Sequence, residues 1–461
     1  MVELQWGIYL FAPSKAAVGL LADYQPAQAA ALNQAAATDL SDQGLALIRQ
    51  LLRIDDTEAA LTAWQRLLED DSRKDEAEAV WAAIRNRNGF LDTPYGVLVG
   101  NHAGVRHVLG DETCFSVRTY WERMEDSLGG GHLGLDSKRS GATDGHYEAI
   151  APVINPLIRS LDMKTAFELS RQITTIIAGK LTQLQKVQLS ALGGHVTAPE
   201  FTSAELNLTT IVYGVLEQVA KKLIGMPDGL IELFPLCSLY IFRPNPGSWV
   251  RDAAHQAGKK ISAEYQKYVT ETPAAELTPF GQALTQAHHG DQTAIIRDLV
   301  GTVLGYIGPT AGSALSVLQQ WIASRDLWSV QRQLHGGTLG YDESKAVLLD
   351  QVQTAMAHNA VPNLLHRVTS RRCPMSKNVP FELPENKRVV VSLQSALQEQ
   401  PEDMQLLFGG HYDEETPIHA CAGRDLALGS IMGIIAGVAT LEDLAPTSEP
   451  SVLRYRPATT A

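Results

Sequence analysis

The sequence is short of cysteine, of charge, and of positive charge above all. Four cysteines occur in 461 residues, Cys114, Cys237, Cys373 and Cys421, far apart and with no Cys-x-x-Cys or close cysteine-histidine spacing. That argues against a disulfide framework or zinc finger and fits a reducing compartment. Charged residues make up 19% of the chain, and 51 acids against 38 bases give a formal charge of −13. Phosphate binding needs a basic face, so no nucleic-acid partner is expected. No apolar run approaches the roughly 20 residues of a membrane span. The stretch from Leu10 to Leu21 is broken by Pro13, Ser14 and Lys15, and it lacks the basic start and cleavage site of a leader. A soluble, cytoplasmic protein is expected. The sequence also has no Walker loop, no His-Glu-x-x-His and no Gly-x-Ser-x-Gly, which leaves three common nucleotide and hydrolase routes without support.

What is present is an ordinary globular composition with 45% hydrophobic residues. A prior of about 150 residues per domain allows three domains or one large body. From Ala16 to Arg87 the chain is rich in Ala, Leu, Gln and Glu, and Ala60, Leu61, Trp64, Leu67 and Leu68 fall at helical spacing. Two or three amphipathic helices are expected there. Tyr95 to Val99 reads as a strand closed by Gly100-Asn101, and His102 to Leu109 as a short helix. Long helical patterns cover Lys164 to Gln188, Ala204 to Ile224, Val250 to Thr270, Gln292 to Arg325, Glu343 to Leu365 and Gly423 to Thr440. The clearest strand is Arg388 to Ser392, after the turn residues Pro384-Glu-Asn386. No repeat or low-complexity linker divides the pattern. The expectation is one mainly α domain with a minor β-sheet.

Some apparent motifs fail on context. Gly129-Gly-Gly-His-Leu-Gly134 fits Gly-x-Gly-x-x-Gly, but it follows the charged segment Trp121 to Asp126 instead of a strand, so it reads as a loop. His288-His289 reads as a surface pair, since adjacent side chains on a helix point about 100° apart and do not share an ion. The charge run Glu69 to Glu76 reads as a solvated turn and helix start.

The informative segment is Thr416-Pro-Ile-His419-Ala-Cys421-Ala-Gly423-Arg-Asp-Leu426-Ala427, a cysteine just ahead of a long apolar helix. Unpaired N–H groups and the partial positive charge at a helix start favour thiolate over thiol, and Gly423 lets the backbone turn close to whatever the sulfur binds. On these grounds alone a buried structural cysteine stays open.

His419-x-Cys421-x-Gly423-x-x-Leu426-Ala427 resembles the heme-binding segment of the cytochrome P450 family, whose cysteine is the axial iron ligand. The resemblance runs from Tyr95 to Leu444. Phe115-Ser116 resembles the step before the loop that lids the pocket; Asp136 and His146 resemble the approach to the helix whose histidine holds a heme propionate, with Ile150 where an arginine follows; Leu383-Pro384 and Arg388 to Leu393 resemble the strand leading to the heme loop. By position the resemblance implies heme b, with Cys421 as metal ligand, His146, Arg367, His419 and Gly423 around the cofactor, and Thr310 as the catalytic hydroxyl. It implies residues 91–461 as the heme-thiolate domain and residues 1–90 as a helical extension packed on it.

Three departures qualify what the resemblance implies. Glu414 and Pro417 stand where the family has Phe and Gly, with Phe408-Gly409-Gly410 upstream. Thr354-Ala-Met-Ala357 stands where a Glu-x-x-Arg pair belongs. Pro309 replaces the acid before Thr310 in Gly305-Tyr-Ile-Gly-Pro309-Thr310, which should kink the helix. The implied activity is insertion of one oxygen atom of O2 into an apolar small molecule by a monomeric enzyme with an external ferredoxin or flavoprotein donor. A peroxide-dependent hydroxylase or hydroperoxide isomerase, and a catalytically retired heme or ligand-binding protein, remain alternatives. The resemblance places the pocket between Ser116 to Leu135, the helices from Leu233 to Phe242 and the helix around Tyr306, with Tyr120, Trp121, Met124, Phe234, Phe242 and Tyr306 as its bulky apolar groups.

Overall fold

The computed structural model describes residues 40–131, 147–191, 203–336, 338–376, 379–410 and 419–456. His146, Asp136, Glu414 and Pro417 lie outside them. The chain begins with three helices, α1 (40–51), α2 (Thr57–Glu69) and α3 (Lys74–Asn86), then β1 (Phe90–Thr93), β2 (Gly96–Val99), α4 (His102–Gly110), β3 (Phe115–Ser116) and α5 (Arg118–Leu128). There follow α6 (Tyr147–Arg159), α7 (Met163–Ala191), β4 (Ala204–Asn207), α8 (Leu208–Val219) with a wide turn over Ala220–Ile224, α9 (Phe234–Phe242), α10 (Ser248–Glu271) and α11 (Pro279–Ala287). The last third holds α12 (Gln292–Ser324), α13 (Asp326–Gln333), α14 (Tyr341–His358), β5 (Leu364–Thr369), β6 (Cys373–Ser376), β7 (Val379–Leu383), β8 (Arg388–Ser392), α15 (Leu393–Glu399), α16 (Arg424–Ala439), β9 (Glu442–Pro446) and β10 (Val452–Arg456). This is a single, mostly helical domain. Among the described residues no helix is long and apolar enough to cross a membrane.

The main sheet runs β1-β2-β8-β5-β3, with β2 and β8 parallel. Val97, Leu98 and Val99 face Val389, Val390 and Val391, a fully buried, β-branched centre of the kind that central strands require. Trp64, Leu67 and Trp81 of α2 and α3 share an apolar cluster with Tyr95, Leu98 and Val390 of this sheet. Several sequence expectations are corrected. Residues 204–207 are strand, alternating buried and exposed against β10. The helix from residue 341 stops at His358, and residues 364–369 are strand. The segment after Phe115 is the helix α5, and Gly129 ends it in the left-handed region at φ 75°. Glu69 is not solvated: it accepts from the Tyr95 hydroxyl at 2.6 Å, and burial pushes its carboxyl up. His288 is not a surface residue, since it sits in a turn with Nε2 2.7 Å from the fully buried Asp298.

The most extensive helix contact joins α7 to α16 through a four-residue glycine repeat. A Cβ on Gly429 would lie 2.3 Å from the Met163 carbonyl oxygen, one on Gly433 2.4 Å from that of Phe167, and one on Gly437 2.5 Å from the Thr174 Cβ. The two backbones therefore touch, and no larger residue fits. Helix propensity alone favours alanine over glycine by about 1 kcal/mol. Gly433→Ala is nevertheless expected to destabilise the protein, by about 1–3 kcal/mol of overpacking, in denaturant unfolding; a gain in stability would mean that α7 can draw back.

On the other side, α5 is clasped to α9 and α10. Arg123 donates to the Tyr240 and Ile241 carbonyls at 3.2 Å each and to that of Pro244 at 3.1 Å, closing the end of α9. Asp126 accepts from the Tyr240 hydroxyl at 2.7 Å and faces His255 at 2.7 Å and Arg251 at 3.2 Å. Its partial burial alone would raise the carboxyl, but these partners outweigh that and hold it at about 2 against an ordinary 3.8. A depressed carboxyl stabilises the fold above its unfolded value and loses that contribution as pH falls through the folded one. The stability gap between wild type and Asp126→Asn, on the order of 1 kcal/mol for such a surface cluster, is therefore expected to be constant above about pH 5 and to close between about pH 4 and 2.

Candidate functional site

Cys421 stands three residues before the start of α16. Its N–H donates to the Phe408 carbonyl at 2.8 Å, and Arg424 Nη1 donates to Gln405 Oε1 at 2.6 Å, so the loop is fastened to the short helix Met404–Phe408. His419 Nε2 lies 2.8 Å from Glu112 Oε1 in the turn between α4 and β3. Three separate pieces of chain thus fix the residues around the sulfur.

Cys421 is the exposed one of the four cysteines; Cys114, Cys237 and Cys373 are buried. Protein nevertheless surrounds its thiol closely enough that desolvation pushes it above its ordinary range, against the Gly423 amide and Arg424, which favour thiolate. The helix start does act as the sequence suggests, and the surrounding protein outweighs it. Gly423 has φ −88°, a conformation open to any residue. A Cβ there would stand 4.0 Å from the sulfur and 3.6 Å from Ile158, ordinary contact distances, so neither backbone angle nor packing demands a glycine here.

Arg367 projects from β5, whose register places it opposite Val389 of β8. It is 6% exposed. Its Nη1 donates to the His366 carbonyl at 2.9 Å and its guanidinium stands 5.8 Å from the Tyr120 ring centre, but among the described residues it has no carboxylate partner. An unpaired buried charge is costly, and a carboxylate brought in by a ligand would relieve it. β3 pairs with β5 through Phe115 and Thr369 and through Ser116 and Val368, so the strand bearing Arg367 is bolted to the turn that meets His419.

Thr310 is buried on α12, which runs without a break through Pro309. Gly308 and Gly312 on either side let Ser238 of α9 and Val361 approach to 2.9 and 2.5 Å of a notional Cβ. One turn before Thr310, the Tyr306 hydroxyl meets Ser430 of α16 at 2.8 Å, tying this helix to the one that follows Cys421. The acid on α12 is Asp298, locked between His288 and Arg297 at 2.7 and 2.9 Å. It stands twelve residues from Thr310, roughly 18 Å along a helix.

Of the bulky groups expected around a pocket, Tyr120, Met124, Phe234 and Tyr306 are core residues, while Trp121 and Phe242 are half-buried. Ala355, Met356 and Ala357, where a Glu-x-x-Arg pair belongs, are packed inside. Sequence reasoning missed Glu112, whose partner is 307 residues away, and His366, whose buried ring nitrogens complete no hydrogen bond. Neither has a local signal. The glycine spacing at 429, 433 and 437 was such a signal.

The donor set fits a heme: an exposed cysteine at a helix start and, on the main sheet, a buried cation for a propionate. No protein-family model matches the chain, and no curated protein matches it by sequence. Solved structures do match. CalO2 aligns at TM-score 0.58 and 16% identity, over 85% of this chain and 99% of its own. The P450 heme domain of Tepidiphilus thermophilus aligns at 0.57 and 12%, over 85% and 94%, and the cytochrome P450 CYP102L1 at 0.58 and 12%, over 83% and 92%. The fold is that of the cytochrome P450s.

If Arg367 is kept for an incoming carboxylate, Arg367→Met is expected to stabilise the heme-free protein, by about 1–4 kcal/mol as when buried charge gives way to apolar packing. Thermal unfolding of the heme-free pair checks this, and a destabilised variant would mean that the guanidinium is already satisfied.

Proposed function

We propose that this protein is a heme-thiolate monooxygenase that inserts one oxygen atom of O2 into a small apolar molecule, with electrons from an external ferredoxin or flavoprotein. The observation that carries this reading is the pairing, within a P450 fold, of the exposed Cys421 at the start of α16 with the buried, carboxylate-free Arg367. Cys421 would hold the iron, Arg367 and the histidines His419 and His146 would hold the propionates, and Gly423 would lie against the cofactor beside the sulfur. Bound heme b supplies the activation of dioxygen and the electron transfer. The chain's own contribution is to orient and enclose: α5 shuts one side through Arg123 and Asp126, and α12 presents Thr310, whose Oγ1 can relay a proton.

A peroxide-driven version of the same site is favoured by one observation. Asp298 is the acid of α12, and it is both paired and far from Thr310. A hydroxyl relays a proton but is no source of one at neutral pH. Peroxide already carries the protons that dioxygen would need delivered.

The dithionite-reduced protein under carbon monoxide is expected to show the red-shifted Soret band of a thiolate-ligated heme, and Cys421→Ser to abolish it. A protein that retains no heme would overturn both versions. Turnover with hydrogen peroxide compared with turnover through a ferredoxin system separates them, and no activity with peroxide would end the second.

A further inference from the structure

The heme-thiolate reading leaves Glu112 without a role, although it is joined to the cysteine loop. The side chains of Glu112 and His419 are each only 11% exposed, and they meet at 2.8 Å although 307 residues separate them. The turn that carries Glu112 is rigid. Asp111 Oδ1 accepts from the Thr113 hydroxyl at 2.6 Å and from the Cys114 N–H at 3.2 Å, and the Phe115 N–H donates to the Asp111 carbonyl at 2.8 Å. The turn is also part of the sheet. The Ser370 hydroxyl donates to the Thr113 carbonyl at 2.6 Å and the Ser370 N–H to that of Cys114 at 2.9 Å, just beyond the β3–β5 pairing. Arg367 lies three residues before Ser370, and His419 two before Cys421. The contact between Glu112 and His419 therefore spans the gap between the frame of Arg367 and the loop of Cys421, which is otherwise held from its far side by Phe408 and Gln405.

We propose that Glu112 is the positioning residue of the cysteine loop, acting through His419 to fix the Cys421 thiol relative to the sheet that carries Arg367. The proposal rests on the functional reading above for its purpose, since those two groups are the proposed holds for iron and propionate. It does not rest on it for its test. A carboxylate that takes Nε2 also fixes the imidazole ring, so that any propionate would be met by Nδ1. Side chains joined by a partly buried hydrogen bond are coupled, and removing either partner loses the whole contact.

The test uses thiol labelling of the heme-free protein with iodoacetamide, because Cys421 is exposed and the other cysteines are buried. Glu112→Ala is expected to speed alkylation of Cys421 about fivefold or more, the factor of a contact worth one or two kcal/mol. His419→Gln should do the same, and the double variant should be no faster than the faster single. Cys237, remote and buried, reports global unfolding and should label at the wild-type rate. Equal Cys421 labelling in wild type and Glu112→Ala would overturn the proposal. So would a response to Glu112→Ala that His419→Gln does not reproduce, since that is the signature of lost charge alone. In protein loaded with heme, both variants should also release it faster to apomyoglobin. Labelling that responds in a protein unable to bind heme would keep the tether and refute the heme reading; heme binding with unresponsive labelling would do the reverse.

Discussion

The contact of α16 with α7 sets the geometry on which the candidate site depends. Where two helices meet through glycine, their axial register is fixed by backbone atoms that have no rotamers in which to yield. Gly429, Gly433 and Gly437 bring α16 against the Met163, Phe167 and Thr174 turns of α7. Because Cys421 stands three residues before α16, its place in the fold is inherited from that register. The loop then needs only short-range fastening, and it receives it from Phe408, Gln405 and Glu112. Tyr306 adds the cross-link to α12, so that Thr310 is referred to the same helix. The site is a set of loops and helix ends hung on one stiff pair.

Among the described residues the buried acids follow a consistent rule. Asp298 is fully buried and has His288 and Arg297; the side chains of His102 and Asp403 are 8% and 10% exposed and pair at 2.9 Å; Glu69 has Tyr95 and, at 3.8 Å, Arg243. Each of these carboxylates is offset, as a low-dielectric interior demands. In a chain with 13 more acids than bases, carboxylates are in excess, so a buried arginine without one is conspicuous. Arg367 is that arginine. The physical asymmetry gives it weight beyond its position in a motif, since keeping an unpaired guanidinium inside is costly unless another anion offsets it.

The long helices were readable because each buries a stripe at period 3.6, and β8 because three valines in a row suit a strand covered on both faces. The errors fall where those signals overlap. Ala204-Glu-Leu-Asn207 alternates like a strand, but it runs directly into α8, and its partner β10 lies some 245 residues further on. Leu364 and Leu365 read as the tail of α14, although Pro362 precedes them and β5 takes its shape from pairing with β8 and β3. At the site, Cys421 was legible because a helix start and a four-position motif coincide locally. Glu112 was not, since an ordinary acid in a turn acquires meaning only from a histidine that folding brings to it. Gly423 and Thr310 were identified by position, and the structure adds what flanks them. Arg123 and Asp126 received no role from the sequence, because nothing local marks them as partners for the end of α9.

The substitution of Pro309 for an acid bears on the oxidant. Without an N–H at Pro309, the Gly305 carbonyl loses its intrahelical donor one turn below Thr310. The helix thus exchanges a group that could supply a proton for one that can only accept a hydrogen bond. Tyr306 cannot make up the difference, because burial pushes its phenol well up and its hydroxyl is engaged with Ser430. Nor can Asp298, which is held by His288 and Arg297 at the far end of the helix. On the proposed reading, protons would then come from solvent or from the oxidant itself, and an oxidant that brings its own protons meets the chemistry with the groups this helix has kept.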